Sequence, residues 1–107
     1  MSKVVELSDS NFEQEVIKSE TPVLVDFYAE WCGPCKMQHP AIEKISEMFE
    51  GKVKIGKLNV DEARKKAAEF NVRSIPTLVV FKKGEVVERV MGYHTAERLA
   101  SILNKHI

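Results

Sequence analysis

Apolar residues along this chain change their spacing from segment to segment, and the spacing predicts the elements. Val4-Val5 reads as a short opening strand. Phe12, Val16 and Ile17 follow Ser8-Asp9-Ser10-Asn11, which predicts a short helix with Ser10 and Glu13 as a capping box and Ser8 as the rival cap. Thr21-Pro22 ends it. Val23 to Ala29 is then apolar at every position but Asp26, the pattern of a central strand buried on both faces. Ala41, Ile42, Ile45, Met48 and Phe49 form a helical stripe that ends at Gly51, with Pro40 inside the helix and expected to kink it. Val53 to Val60 is the next strand, and Asp61 is placed to cap a helix over Ala63, Ala67, Ala68 and Phe70. Thr77 to Phe81 and Val86 to Met91 flank the turn Lys82-Lys83-Gly84-Glu85 as a hairpin. Thr95 caps a last helix bearing Ala96, Leu99, Ala100 and Leu103. Strand-helix-strand units imply parallel pairing and the hairpin adds antiparallel pairing, so an α/β fold with a mixed sheet is expected.

The 107 residues suit one domain spanning 1–107, and 44% hydrophobic content is enough for a core. Sixteen basic and sixteen acidic residues cancel, with no basic run, so no nucleic-acid partner is expected. No apolar stretch approaches the roughly 18 residues of a membrane span. Met1-Ser2-Lys3-Val4-Val5-Glu6 lacks the apolar core of a signal peptide. Together these point to a cytoplasmic protein, where disulfides are usually transient and catalytic. A monomer is expected.

Candidate chemistry concentrates at Trp31-Cys32-Gly33-Pro34-Cys35, which holds the only two cysteines. Helix positions three apart lie about 5–6 Å from each other, within the roughly 4.4–6.8 Å of a disulfide. A bridge closing so small a ring adds little chain-entropy stability, so a reversible two-electron switch explains it better than a structural link. Cys32 at a helix start is favoured as a thiolate nucleophile. Cys35, one turn deeper, would resolve the mixed disulfide. A lone C-x-x-C is also half a zinc site. A full site needs about four ligands, and besides carboxylates only His39, His94 and His106 remain. No metal and no organic cofactor are expected.

Asp26 interrupts the most apolar strand, so its pKa should rise by desolvation and suit proton transfer with a thiol; the alternative is a structural aspartate with hydrogen-bond partners. Lys57 shares a strand face with Val53 and Ile55 and would pair with Asp26, or else snorkel along an edge. His39 falls on the helix stripe of both cysteines. If protonated there it would lower a cysteine pKa; the plainer reading is an ordinary helix histidine turned aside by Pro40. For Ile75-Pro76, the general rarity of cis bonds favours trans.

Asp26 to Pro40, Ile75-Pro76-Thr77-Leu78, Phe81-Lys82-Lys83-Gly84 and Gly92 together resemble the thioredoxin family, in order and over essentially the whole chain. The resemblance implies a central mixed sheet, βαβαβ then ββα, with helices on both faces, and a protein-disulfide reductase. It implies Cys32 as nucleophile, Cys35 as resolving thiol, Asp26 as buried acid–base group with Lys57 beside it, and Pro76 as a cis proline facing the disulfide. Trp31, Gly33, Pro34, Ile75 and Gly92 match the apolar rim that receives disulfide-containing protein substrates. Thioredoxin reductase is the implied electron donor. Tyr28, Glu30, His39 and Tyr93 depart from the usual pattern; Tyr93 would narrow the groove. Against this stand an oxidase or isomerase of the same fold, where a dipeptide other than Gly33-Pro34 is usual, and a non-enzymatic binding role, which would survive replacing both cysteines by serine.

Overall fold

The computed structural model describes residues 3–107. Met1 and Ser2, where the signal-peptide reading begins, lie outside the described residues. The strands are β1 (Val5–Leu7), β2 (Val23–Tyr28), β3 (Lys54–Asn59), β4 (Thr77–Lys82) and β5 (Glu85–Met91). The α-helices are α1 (Gly33–Met48), α2 (Arg64–Glu69) and α3 (Ala96–Asn104), and a π-helical turn spans Glu13–Ile17. The sheet order is β1-β3-β2-β4-β5. β3 runs parallel to both β1 and β2, while β4 is antiparallel to β2 and to β5. This is the mixed α/β sheet that the spacing predicts.

Alternation along the strands divides the core in two. Leu24 of β2, Ile55 of β3 and Leu78 and Val80 of β4 pack against Ile42 and Ile45 of α1, its C-cap Phe49, and Leu99, Ile102 and Leu103 of α3. Val23, Val25 and Phe27, Leu58, Val79 and Phe81 point the other way, onto Val16 of the π-helical turn, Phe12 just before it and Ala63 before α2. Every residue of β2 is buried, because both faces are covered.

Local signals explain the hairpin. Lys83 and Gly84 have φ of 54° and 80° and form its two-residue loop, as a type I′ turn requires. A Cβ on Gly84 would come within 3.0 Å of the Ile17 carbonyl oxygen, so space as well as φ selects glycine.

Several expectations fail, and one of them fails because a distant partner wins. Ser10 and Glu13 form no capping box: among the described residues no side chain caps the π-helical turn. Instead Ser8 and Asn11 bond reciprocally, Ser8 N–H to Asn11 Oδ1 (2.8 Å) and Asn11 N–H to Ser8 Oγ (3.3 Å). Asp61 does not cap α2. The carboxylate of Asp9 accepts from Lys65 N–H (3.4 Å) and Lys66 N–H (3.0 Å) and serves that helix end from across the chain. Met48 and Ala68, read as core positions, face solvent. β2 stops at Tyr28 and β3 at Asn59, one residue short of each predicted end. α1 runs unbroken through Pro40.

Candidate functional site

Beyond the carboxyl end of β2 the chain turns through Ala29, Glu30 and Trp31 into α1. Cys32 is the N-cap, with extended backbone, and its Sγ accepts a hydrogen bond from Cys35 N–H (3.2 Å). The sulfur thus takes up one of the amides that a helix start leaves unpaired. Pro34 lies in the first turn, where it sacrifices no helical bond. Cys32 and Cys35 form a disulfide with Cα atoms 5.2 Å apart. Cys35 is completely buried and Cys32 nearly so. Cys32 Sγ lies 3.8 Å from the Ile75 carbonyl oxygen. The oxidised sulfur has no hydrogen, so this is a packing distance that a thiol could use as a bond. The Ile75–Pro76 bond is cis, against the expectation from general rarity and as the resemblance implies.

Pro76 in turn holds Gly92: the Gly92 N–H donates to the Pro76 carbonyl (2.8 Å). The same loop is tied to α1 by Gln38, whose amide donates to the His94 carbonyl and accepts from His94 N–H, both at 2.8 Å. Gln38 is buried, with both its amide nitrogen and its oxygen engaged. The Cys32–Cys35 turn, the Ile75–Pro76 turn and the Gly92 loop are therefore fixed side by side.

Around them the surface is apolar and open. Trp31 is 71% exposed, and its indole N–H donates to Asp61 Oδ2 (2.8 Å), which is the task Asp61 performs in place of capping α2. A Cβ on Gly33 would meet nothing within 4 Å. Met37, Met91 and Tyr93 are exposed large apolar side chains. The reading of the rim from sequence omitted Met37, Met91 and Gln38. Met37 carries no local signal in the sequence, and Gln38 shows its value only through a partner 56 residues away.

Asp26 lies on the α1 face of β2, in register with Lys57 of β3 and Leu78 of β4. Its side chain is wholly buried, and among the described residues neither carboxyl oxygen has a hydrogen-bond partner. Burial pushes its pKa up from 3.8 to about 7, with the nearby Lys57 charge pulling it partly back. Lys57 belongs to an interior strand, not an edge. Its ammonium approaches Glu6 Oε1 (3.9 Å) and lies 5.6 Å from the centre of the Tyr28 ring. It acts on Asp26 through space rather than by contact. Tyr28 donates its hydroxyl to Glu6 Oε2 (3.1 Å). His39 is not turned aside by Pro40. Its ring packs edge-on against Tyr28 (centroids 4.9 Å apart), and Nε2 lies 3.9 Å from Asp26 Oδ2. Burial first, and Lys57 second, hold its pKa below the usual histidine range.

A near-buried disulfide at a helix N-terminus, with one sulfur toward an open apolar rim and a proton-binding carboxyl beneath the helix, defines a dithiol–disulfide exchange domain. A family model described as Thioredoxin matches residues 3–105. The chain is 49% identical to a thioredoxin of Synechocystis over 107 residues, and 47% identical to a thioredoxin of Haemophilus influenzae over 107 residues, with all of each chain covered. Thioredoxin 1 of Nostoc is 46% identical over the same length, again with both chains fully covered. The chain belongs to the thioredoxin family, and it is a protein-disulfide oxidoreductase that works through the Cys32–Cys35 pair.

Proposed function

We propose that Cys32 attacks the target disulfide and that Cys35 resolves the product. The Cys32 thiolate forms a bond to one target sulfur and expels the other as a thiolate. Cys35 then gives its proton to the Asp26 carboxylate and attacks Cys32 Sγ. The Cys32–Cys35 bond forms, the first target sulfur leaves as a thiolate, and two electrons have passed to the target. The observation that carries this reading is the difference between the sulfurs: Cys32 caps α1 beside the open rim, and Cys35 is sealed beneath it. Asp26, held near neutrality, is matched to a thiol proton. Lys57 supports its charged form from the next strand. Trp31, Gly33, Pro34, Ile75, Pro76 and Gly92 receive the target as a flat apolar surface, which suits a range of protein disulfides.

Thioredoxin reductase is the partner that returns the electrons in this account, and the chain acts as a cytoplasmic monomer of one domain, with no nucleic-acid partner. No helix of the described residues is long and apolar enough to cross a membrane. In the test, Cys35→Ser accumulates a covalent adduct with a disulfide-bonded protein that dithiothreitol releases, and Cys32→Ser accumulates none. Equal adducts from both variants would overturn the assignment of roles.

A further inference from the structure

Among the described residues, the buried side-chain polar atoms without a hydrogen-bond partner are both carboxyl oxygens of Asp26 and Nε2 of His39. They belong to two side chains that face each other, with His39 Nε2 3.9 Å from Asp26 Oδ2. A hydrogen bond between them would span about 2.7–3.2 Å, so about 1 Å of ring movement closes the gap. A buried polar atom left unpaired is costly, and here pairing would relieve both partners at once. The His39 ring is seated by Tyr28, and His39 lies one helical turn beyond Cys35 on α1. Its side chain is 30% exposed although Nε2 is buried, so the rest of the ring reaches solvent.

We propose that Asp26 and His39 share one dissociable proton across this gap, which makes His39 a positioning residue for the buried carboxyl. The inference rests on the reading that Asp26 accepts a proton during exchange. The step moves one proton and no electron pair between sulfurs: the Asp26 O–H bond breaks, an N–H bond forms at His39 Nε2, and a carboxylate faces an imidazolium. Opposite charges this close attract strongly enough to offset a modest mismatch in proton affinity.

The surroundings act on both halves. Lys57 of β3 favours the carboxylate and opposes the imidazolium. Glu6 of β1, Glu30 before Trp31 and Glu43 of α1 all favour the imidazolium. Tyr28 of β2 is kept protonated by burial and by Glu6, and so presents a neutral ring. From β4 the register neighbour of Asp26 is the apolar Leu78. On α1 Cys35 lies one turn before His39, and Cys32, the N-cap, about two turns before it. The consequence is a proton acceptor for Cys35 that persists on the acid side of neutrality, where an isolated buried carboxyl would already be protonated. His39 therefore acts through Asp26, not through the cysteines as the stripe in the sequence suggests.

The experiment is a carbon-13 NMR pH titration of the Asp26 carboxyl and the His39 ring in the oxidised full chain. In wild type both nuclei should follow the same two steps, as a coupled pair does. In His39→Gln, and in His39→Asn as a second substitution, Asp26 should titrate in one step with its midpoint higher by about one unit or more, a tenfold change in proton affinity. In Asp26→Asn the His39 midpoint should fall, as linkage requires; a merely structural role for His39 predicts no such reciprocity. Superimposable Asp26 curves in wild type and both His39 variants would overturn the shared proton. The rate of disulfide exchange in Asp26→Asn separates the two claims. If that rate is normal while the Asp26 midpoint moves in the His39 variants, the shared proton stands and the acid–base reading falls. If Asp26→Asn slows exchange while the His39 variants leave the midpoint unmoved, the acid–base reading stands and the shared proton falls.

Discussion

The two faces of the sheet are built to different ends. Toward the π-helical turn and α2, the face is saturated with apolar side chains. Phe12, Phe70 and Phe81 form a ring cluster with centroids 5.1–5.6 Å apart, and Phe27 is buried on the same side. Toward α1 the same strands carry a polar line, Glu6–Lys57–Tyr28 and His39–Asp26, close to the disulfide. One strand, β2, supplies both Phe27 and Asp26 as consecutive residues pointing opposite ways. Stability on the first face should be indifferent to pH. On the second face it is traded for a group that binds a proton near neutrality.

The largest effect should come from breaking the apolar face. Phe27→Ala should cost about 3–5 kcal/mol, equally at pH 4 and pH 8 in urea unfolding, while exchange persists wherever the variant remains folded. A pH-dependent loss would mean that the two faces are not separable.

Asp26→Asn should act with the opposite sign. The folded carboxyl is raised from 3.8 to about 7. The native state therefore keeps its full stability below pH 4 and loses it as pH rises toward 7, up to about 4 kcal/mol. Removing the charge should stabilise the protein by up to that amount at pH 8 and leave pH 4 unchanged, with any charge-sharing by His39 reducing the gain. Exchange near neutrality should fall on the order of 10²-fold. Unfolding curves for both proteins at the two pH values provide the check.

Gln38→Ala should cost about 1–3 kcal/mol, since it strands the amide and carbonyl of His94. It should also loosen the Gly92 loop, raising KM for protein disulfides more than it lowers kcat. The smallest stability effect belongs to the rim: Trp31→Ala should change unfolding free energy by no more than about 0.5 kcal/mol, yet weaken exchange with protein disulfides while sparing a small-molecule disulfide. A similar loss with both substrates would place Trp31 in the chemistry rather than in target binding.

What could be read from the sequence depended on whether the signal was local. Cys32 and Cys35 carry their own geometry in a spacing of three, and Asp26 stands out because every neighbour on its strand is apolar. The strands and helices follow from periods of two and 3.6, and the hairpin from Lys83-Gly84. Long-range partners left no trace. Asp9 caps α2 from 56 residues away, Gln38 braces His94 at the same separation, and Asp61 turns to Trp31 instead of its adjacent helix. His39 was legible as an oddity on the cysteine stripe, but helix spacing gives only the direction of a side chain, and its partner proved to be on the strand beneath. Met48 shows the same limit: an apolar residue at helical spacing lies on the stripe only if the tertiary contact extends that far.

The central claim is that the Cys32–Cys35 pair donates electrons to protein disulfides. Its reduction potential, measured by thiol alkylation across dithiothreitol redox buffers, tests this most directly. The account predicts a value more reducing than the glutathione pool, which lies at roughly −220 to −260 mV by extraction. A value at or above that poise would contradict it and make the pair an oxidant or isomerase.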